Sequence, residues 1–330
     1  MTKILKLLIK LIIALGLIYW LINSGKLDFA ILKSSFSTPT RVILAILFMQ
    51  IDNIIVAYRL RLLLDIKVKN TINFIKLFWA NWIGIFFNSV LPGSVTGDIV
   101  KIFYIKDLDE NLTKKYLLVS VFIDRVLGLL GLISLGGISS IINYSKLNNL
   151  GGDVLVLTHI NMALFFIVIC VLVMIFYFEN LPIFLAKSFN QKKYIGKFIN
   201  KLEELWRNIC LFKSIIFKAL GVSMIIQGAA ILIFWFLTNG YADNTFSLST
   251  AFTVLPIGFI AIAVPIAPAG LGVGHVVFQK LLSFFGIMNG ASLFNIYFFV
   301  VMFSNLTGVI PYIFHSKTKN LDLEKIEEEL

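Results

Sequence analysis

The chain has 330 residues, of which 58% are hydrophobic and only 14% are charged, and its formal net charge is +11. Soluble domains carry about 25% charged residues, so this composition excludes an ordinary soluble enzyme and predicts an all-α polytopic membrane protein. The apolar segments leave no room for a separate soluble domain, and residues 1–330 are interpreted as a single membrane domain.

Several apolar segments are long enough to cross the membrane as helices. A hydrocarbon core of about 30 Å requires roughly 20 apolar residues in helical form. Full transmembrane helices are predicted over six segments: 5–23, 41–60, 116–140, 159–178, 215–238 and 293–314. The first begins among Lys3, Lys6 and Lys10 and is interpreted as an uncleaved helix, because no small-residue cleavage site follows it.

Two stretches rich in proline and glycine interrupt the remaining apolar segments, 74–105 and 249–286. The breaks are Leu91–Asp98 and Val264–His275. Each leg beside a break has about 12 to 16 residues, which is too short to cross the bilayer at about 1.5 Å per residue. The two segments are therefore predicted to form re-entrant helical hairpins, and paired breaks of this kind point to a transport site.

Basic residues are concentrated in a few of the connecting segments. Most of the 29 Lys and Arg fall at the termini or within 59–76, 101–115 and 179–218. Cytoplasmic loops carry an excess of Lys and Arg, so these segments and both termini are predicted to be cytoplasmic, in a protein of the cell membrane. The 179–218 segment is interpreted as a helix lying on anionic lipid, and nucleic-acid binding is a weaker alternative.

The number of crossings determines the side from which each hairpin enters. The first hairpin is predicted to enter from the cytoplasm and the second from outside, which makes the two halves of the chain an inverted repeat. The chain is predicted to begin with a first helix and an outer loop (1–38), followed by the first half-repeat (39–140). A linking region (141–214) connects it to the second half-repeat (215–314), and a cytoplasmic tail (315–330) follows.

Polar residues within the predicted spans are few. Gln50, Asn53 and Gln227 are interpreted as interhelical hydrogen-bonding groups, which are worth about 1 kcal/mol or less. Asp52 lies at the middle of the second span. A carboxylate at this depth needs a partner or a bound proton, and both a functional and a structural role remain open for it.

Asp124 and Arg125 lie about two turns inside the predicted span 116–140. Neighbouring residues on a helix point about 100° apart, so the two side chains need separate partners, which favours a network that links helices. For Arg125 two interpretations remain open. Its guanidinium either extends to the cytoplasmic interface or holds a phosphate through two parallel hydrogen bonds.

The first break has the features of a phosphate site. Pro92 cannot continue a helix, Gly93 and Gly97 permit tight turns, and Asp98 falls in the first turn of the helix that follows. A helix start presents unpaired N–H groups to an anion, and Lys101 adds positive charge one turn later. The alternative is that Asp98 only caps the helix.

The second break contains Pro268, Gly270 and Gly272, which prevent a regular helix, and His275 begins the return leg. His275 either caps this leg or takes part in a proton-linked step. Elsewhere the sequence contains no nucleotide-binding loop, zinc-protease motif, serine-hydrolase elbow or cysteine cluster. We expect no catalytic residues, no cofactor or metal, and no nucleic-acid partner.

These motifs, in their order along the chain, resemble the flippase-like membrane domain of lysylphosphatidylglycerol synthases, which also occurs alone and joined to a polyprenol-linked glycosyltransferase. Two residues depart from the pattern: Lys101 stands where arginine is more usual, and His275 stands where an acidic residue is expected. The residues that carry the resemblance are Arg59–Leu64, Asn88 with Leu91 and Pro92, Gly97, Asp98, Lys101, Asp124, Arg125 and Pro268–Val273.

The resemblance implies a lipid translocase that moves an anionic, aminoacylated or polyprenyl-phosphate-linked headgroup between leaflets, with the two hairpins meeting near the midplane. Lys101 and Arg125 would attract the phosphate. The residues around the breaks would bind the headgroup: Asn88, Pro92, Gly93, Gly97, Pro268, Gly270 and Gly272. Protonation and gating are assigned to Asp52, Asp98, Asp124 and His275.

Two other roles remain open: a membrane enzyme or subunit that modifies lipids together with a separate synthase or glycosyltransferase, and a purely structural partner of such an enzyme. The sequence contains no residues recognisable for tRNA-dependent aminoacyl transfer, so we expect no phosphatidylglycerol lysyltransferase activity from this chain alone. Lysylphosphatidylglycerol formed by the purified chain from charged tRNA would contradict this expectation.

Overall fold

The structure is a computed structural model, and it describes residues 39–68, 72–90, 96–177, 206–207, 209–264, 270 and 272–316. Within these ranges every regular element is a helix. The predicted first span, 5–23, most of the basic segment 179–218 and most of the tail 315–330 lie outside the described residues.

The helices follow one another in the order that the hydropathy predicts. They are α1 (Pro39–Val68), α2 (Phe74–Val90), α3 (Thr96–Lys106), α4 (Lys114–Ile142), α5 (Tyr144–Leu150), α6 (Gly152–Tyr177), α7 (Ile216–Thr238), α8 (Leu248–Ala263), α9 (Val273–Ser283), α10 (Gly290–Leu306) and α11 (Val309–Ser316). Five segments are long and apolar enough to cross a membrane, namely α1, α4, α6, α7 and Gly290–Phe314. They coincide with the last five of the six predicted spans, which confirms a polytopic helical protein.

Large apolar side chains cover the outer surfaces of these long helices. On α1 they include Ile43, Leu47, Phe48 and Ile51, each more than half exposed. In water such a surface would be unfavourable by about 25 cal/mol for each Å² of apolar area, whereas in lipid it carries no such cost. The exposed sides of the spans are therefore suited to hydrocarbon.

Helices α2 and α3 form a tightly packed pair on either side of the first predicted break. Gly84 and Gly97 lie at their closest approach, where a Cβ added to Gly84 would come 2.9 Å from the backbone oxygen of Gly97. Asn88 Oδ1 accepts a hydrogen bond of 2.9 Å from the Gly97 N–H. The helix break predicted here is confirmed, while Pro92 and Gly93, at its centre, lie outside the described residues.

Helices α8 and α9 form the corresponding pair around the second break. The ring of Phe278 packs against Gly258, where a Cβ would come within 2.7 Å of its Cε1 atom. Gly270 and Gly272 have φ values of +73° and +77°, which side chains other than glycine rarely adopt. Regular helix therefore stops between Ala263 and Val273 as predicted, and Pro268 lies outside the described residues.

Each helix pair packs into its own apolar core. Leucine and isoleucine side chains fill the core around α2 and α3, and aromatic side chains such as Phe234, Phe259, Phe278 and Phe294 dominate the core around α8 and α9. Among the described residues, the first pair packs against α1, α4, α10 and the short helix α11, and the second pair packs against α4, α6, α7 and α10. Helices α4 and α10 thus contact both pairs.

Two basic residues that were expected in connecting loops lie in helices, and α1 is longer than predicted. Arg59 lies within α1 and is buried, so it does not belong to a loop over 59–76. The helix continues because Leu60, Leu63 and Leu64 keep a buried apolar face with helical spacing. Lys101 is likewise a buried residue of α3 and not part of a loop over 101–115.

Two glycine substitutions are expected to have opposite effects on stability, because only one of them lies at the close approach of α2 and α3. Gly97→Ala places a methyl group against the backbone of Gly84 and the side chain of Asn88. We expect it to destabilise the protein by about 1–3 kcal/mol, as for an overpacked core. Thermal unfolding of the purified protein in detergent would show this as a lowered apparent Tm.

The matched control is Gly221→Ala in α7, where an added Cβ meets no other described atom within 4 Å. Alanine is favoured over glycine inside a helix by about 1 kcal/mol, so this variant should keep or raise the apparent Tm. Equal Tm values for the two variants would contradict a tight backbone contact between α2 and α3.

Candidate functional site

Five charged residues from three helices come together beside the first helix pair. We call this set the charged junction; it consists of Arg59 from α1, Asp98 and Lys101 from α3, and Asp124 and Arg125 from α4. Four of the five are sequence-predicted site residues, and Arg59 joins them. The junction contains two ion-paired groups. Asp124 belongs to the first group, and its neighbour in the chain, Arg125, belongs to the second.

The first group is a buried ion pair between Arg59 and Asp124. Arg59 Nε donates to Asp124 Oδ1 at 2.7 Å, and the two side chains are only 6% and 7% exposed. Arg59 Nη1 also donates to Ser223 Oγ of α7 at 2.9 Å. This arrangement links α1, α4 and α7 through a single guanidinium group.

The second group links α3 to α4. Arg125 Nε donates to Asp98 Oδ2, and Lys101 Nζ lies 3.4 Å from Asp98 Oδ1. Asp124 and Arg125 thus take separate partners on different helices, as predicted from their angular separation on α4. Arg125 is held by this ion pair.

The junction carries more positive than negative charge. Three cationic and two anionic side chains leave a net charge of +1 in the ionised state. Asp98 and Lys101 are 9% and 8% exposed as side chains, but Arg125 is 42% exposed. The positive edge of the junction is therefore the accessible one, and a guanidinium group there presents planar N–H donors that suit a phosphate.

The start of α3 is organised differently from the sequence-based expectation. Both carboxylate oxygens of Asp98 face cationic side chains, so a role as a helix cap alone does not describe it. The cap comes instead from the neighbouring helix, since the Asn88 side chain accepts the Gly97 N–H. One of the N–H groups expected to meet an anion is thus bonded within the protein.

Asp52 lies apart from the junction, in a second polar region. A cavity of about 160 Å³, which we call the polar cavity, lies between α1, α2, α7 and α10. Asp52 and Arg59 are seven residues apart on α1, which places them on the same side of the helix about 10 Å apart. The polar residues that line the cavity are Gln50, Asp52, Asn53, Trp82, Tyr297, Ser304 and Asn305.

Gln50 and Asn53 form interhelical hydrogen bonds, as predicted. Gln50 Nε2 donates to Ser304 Oγ at 2.8 Å, and Asn53 Oδ1 accepts from Asn81 Nδ2 at 2.7 Å. Asn53 is buried at 7% exposure. These bonds connect α1 to α10 and α2 around the cavity.

His275 occupies a structural position at the start of α9. Its Nδ1 accepts a hydrogen bond of 3.3 Å from the Gly272 N–H, and its Nε2 lies 3.5 Å from Asn295 Oδ1. The ring is 1% exposed and its edge faces the ring of Phe294. The structure therefore places His275 in the aromatic core and separate from the charged junction.

Sequence reasoning missed Arg59 and Ser223 as members of the site. Arg59 was counted with the basic residues of a connecting segment because it lies near the predicted end of its span. Its spacing of seven residues from Asp52 was the available signal, since it puts two ionisable groups on one helix face. Ser223 carried no signal, because serine is common in transmembrane helices.

The described residues also limit what the site can bind. In the ranges that the structure covers, no three His, Cys, Asp or Glu side chains are grouped so that they could hold a metal ion. The polar groups of the junction are guanidinium, ammonium and carboxylate. The two cationic groups suit an anion, which can replace a carboxylate as their partner, better than a transition metal.

Because Asp124 pairs with the buried Arg59, Asp124→Asn is expected to lower the free energy of unfolding strongly. Removing one partner leaves a buried guanidinium with only its bond to Ser223, and breaking a buried pair costs about 3–5 kcal/mol. Asp153→Asn, at an exposed carboxylate in the first turn of α6, should cost at most about 1 kcal/mol. Chemical or thermal unfolding of both variants would test this, and a similar small loss for both would contradict it.

A comparison with protein families identifies one match that spans nearly the whole chain. The model of the lysylphosphatidylglycerol synthase TM region matches residues 7–311, which include the charged junction, the polar cavity and both helix pairs. A comparison with curated proteins finds no match. The chain belongs to the family of the lysylphosphatidylglycerol synthase TM region.

Proposed function

We propose that the protein is a lipid translocase that moves a lipid with a phosphate-containing headgroup between the leaflets of the cell membrane. The observation that carries the proposal is the charged junction, with its net positive charge and its accessible Arg125 beside buried Asp98 and Lys101. Membership in a family of lipid-synthase membrane regions supports a lipid as the ligand. The planar N–H donors of the partly exposed Arg125 guanidinium, at the positive edge of the junction, suit an anionic headgroup.

Asp98 acts in this proposal as an exchangeable counter-ion. In the absence of lipid its carboxylate pairs with the Arg125 guanidinium. An incoming phosphate replaces it on Arg125, and Asp98 retains its contact with Lys101. The exchange keeps every cation paired at each stage, so the headgroup can enter and leave without exposing an unpaired charge.

The path of the headgroup follows from the proposed topology. In this proposal α2–α3 and α8–α9 are re-entrant hairpins that enter from opposite sides, the two halves form an inverted repeat, and the termini are cytoplasmic. The support is that each half contains a long helix, two short helices separated by a break, and another long helix. Such repeats place substrate sites near the midplane.

The family description names lysylphosphatidylglycerol, so an aminoacylated phosphatidylglycerol is the first lipid to test. Unmodified phosphatidylglycerol and a polyprenyl phosphate are the matched comparisons. All three contain a phosphate that Arg125 can bind, and they differ in charge and in the group attached to it. Their relative transport rates would identify the lipid class.

Transport by the purified protein in liposomes tests the proposal. Arg125→Ala should lower the initial rate by about tenfold or more, because it removes a charge-assisted interaction with the phosphate worth at least about 1.4 kcal/mol. Arg125→Lys should give an intermediate rate, since it keeps the charge but loses the planar donor group. The rate is measured by extraction or quenching of a labelled lipid in the outer leaflet.

Lys146→Ala provides the control for charge, because Lys146 is an exposed residue of α5 outside the junction. It should transport at the rate of the unchanged protein. Unchanged transport in both Arg125→Ala and Asp98→Ala would overturn the assignment of the junction. Apparent Tm values would separate lost transport from lost folding.

A second candidate function is that of a membrane subunit in lipid modification. The family description favours it, because it names the membrane region of a synthase. The chain would then present the lipid to a separate synthase or glycosyltransferase. Co-purification of such an enzyme, together with no lipid movement by the chain alone, would support this candidate over the translocase.

A further inference from the structure

We infer that the polar cavity is a binding site for a monovalent cation, with Asp52 as its charged ligand. The site lies two turns of α1 away from Arg59 and the charged junction. It is distinct from the lipid phosphate site proposed above, because its two buried side-chain atoms without a partner are acceptors and not donors. Its occupancy does not depend on whether the protein moves lipids.

Two acceptor oxygens at the cavity have no hydrogen-bond partner among the described residues. They are Asp52 Oδ1 and Gln50 Oε1, and both atoms are buried from bulk solvent. A buried acceptor without a partner costs about 1–3 kcal/mol, and more when it is charged. Two such oxygens at one cavity would be satisfied by a bound cation or by a hydrogen-bond donor.

Three side-chain N–H donors around the cavity are already bonded to other protein groups. Gln50 Nε2 donates to Ser304 Oγ, Trp82 Nε1 donates to Thr307 Oγ1 at 3.2 Å, and Asn305 Nδ2 donates to Ser89 Oγ at 2.9 Å. None of the three donates to Asp52 Oδ1 or Gln50 Oε1, the two buried acceptors without a partner. A ligand that satisfies them has to be a cation or a donor of hydrogen bonds.

The charge of the cavity selects a monovalent cation. Asp52 is the one carboxylate among the described residues that line it. The nearby cation, Arg59, is paired directly with Asp124, so it compensates the charge of Asp52 only in part. A divalent ion would leave an excess positive charge at membrane depth, and calcium and magnesium sites use more carboxylates or more water.

The size and chemistry of the lining agree with this choice. The volume of about 160 Å³ accommodates an ion with several water molecules, since one water needs about 10–15 Å³ of such volume. Carboxylate, amide and hydroxyl oxygens are hard ligands suited to alkali ions, and the described residues of the lining include no histidine or cysteine. A primary ammonium group has the same charge and would bind the same oxygens as a donor.

Thermal unfolding of the purified full-length protein in detergent tests the inference without any transport measurement. NaCl, KCl and methylammonium chloride are titrated separately against N-methylglucamine chloride at constant ionic strength. A bound cation stabilises the folded state by mass action, so the apparent Tm should rise and then saturate with at least one of the three. Saturation with Na⁺ or K⁺ identifies an ion from solution, and saturation with methylammonium alone identifies an ammonium headgroup.

Asp52→Asn should abolish the saturable rise while the protein remains folded, because asparagine keeps the shape and removes the charge. Gln50→Met should raise the half-saturating concentration about tenfold through loss of one acceptor. Asp153→Asn, with the same change at an exposed position on α6, should leave the titration unaltered. A Tm that is independent of cation identity, which would indicate a protonated Asp52, or an unchanged titration in Asp52→Asn would each overturn the inference.

Discussion

The ion pair between Arg59 and Asp124 is the interaction on which the rest of the structure depends. Three helices, α1, α4 and α7, meet at this guanidinium; α1 and α4 carry members of the charged junction, and α1 and α7 line part of the polar cavity. A charge in a membrane interior is costly unless it is paired, so the position of Asp124 on α4 fixes the register of α1 against it. Asp52 and Arg125 take their positions from that register, because each is on the same helix as one member of the pair.

The two helix pairs use different packing to reach similar shapes. Glycine brings the backbones of α2 and α3 together, whereas in the second pair the phenylalanine rings of α8, α9 and their neighbours stack around Gly258 and Gly274. The first pair presents charged side chains to α4, and the second is enclosed by aromatic rings. In the proposed function, the first pair recognises the ligand and the second pair supports it.

The sequence was sufficient for those parts of the fold that depend on periodicity and length. Hydropathy located the long helices, and proline and glycine located both breaks. Angular spacing on α4 correctly separated the partners of Asp124 and Arg125. Such arguments need only the geometry of one helix at a time.

The remaining features depend on which helices lie side by side, and no single helix contains that information. Asn88 caps α3 from across the helix pair, and Ser223 completes the Arg59 pair from a helix more than 150 residues away in the chain. The end of α1 was misplaced for a related reason. Buried pairing allows Arg59 to remain inside an apolar helix, whereas a count of basic residues assigns it to a loop.

The contact between Gly84 and Gly97 has a consequence for how the protein can rearrange. With the two backbones touching and Asn88 bonded to Gly97, α2 and α3 have little freedom to slide or separate and behave as one rigid body. In the proposed function, motion that admits a headgroup would occur at the boundary of this body with α4, where Asp98 meets Arg125. The strength of this ion pair would then set how often the boundary opens.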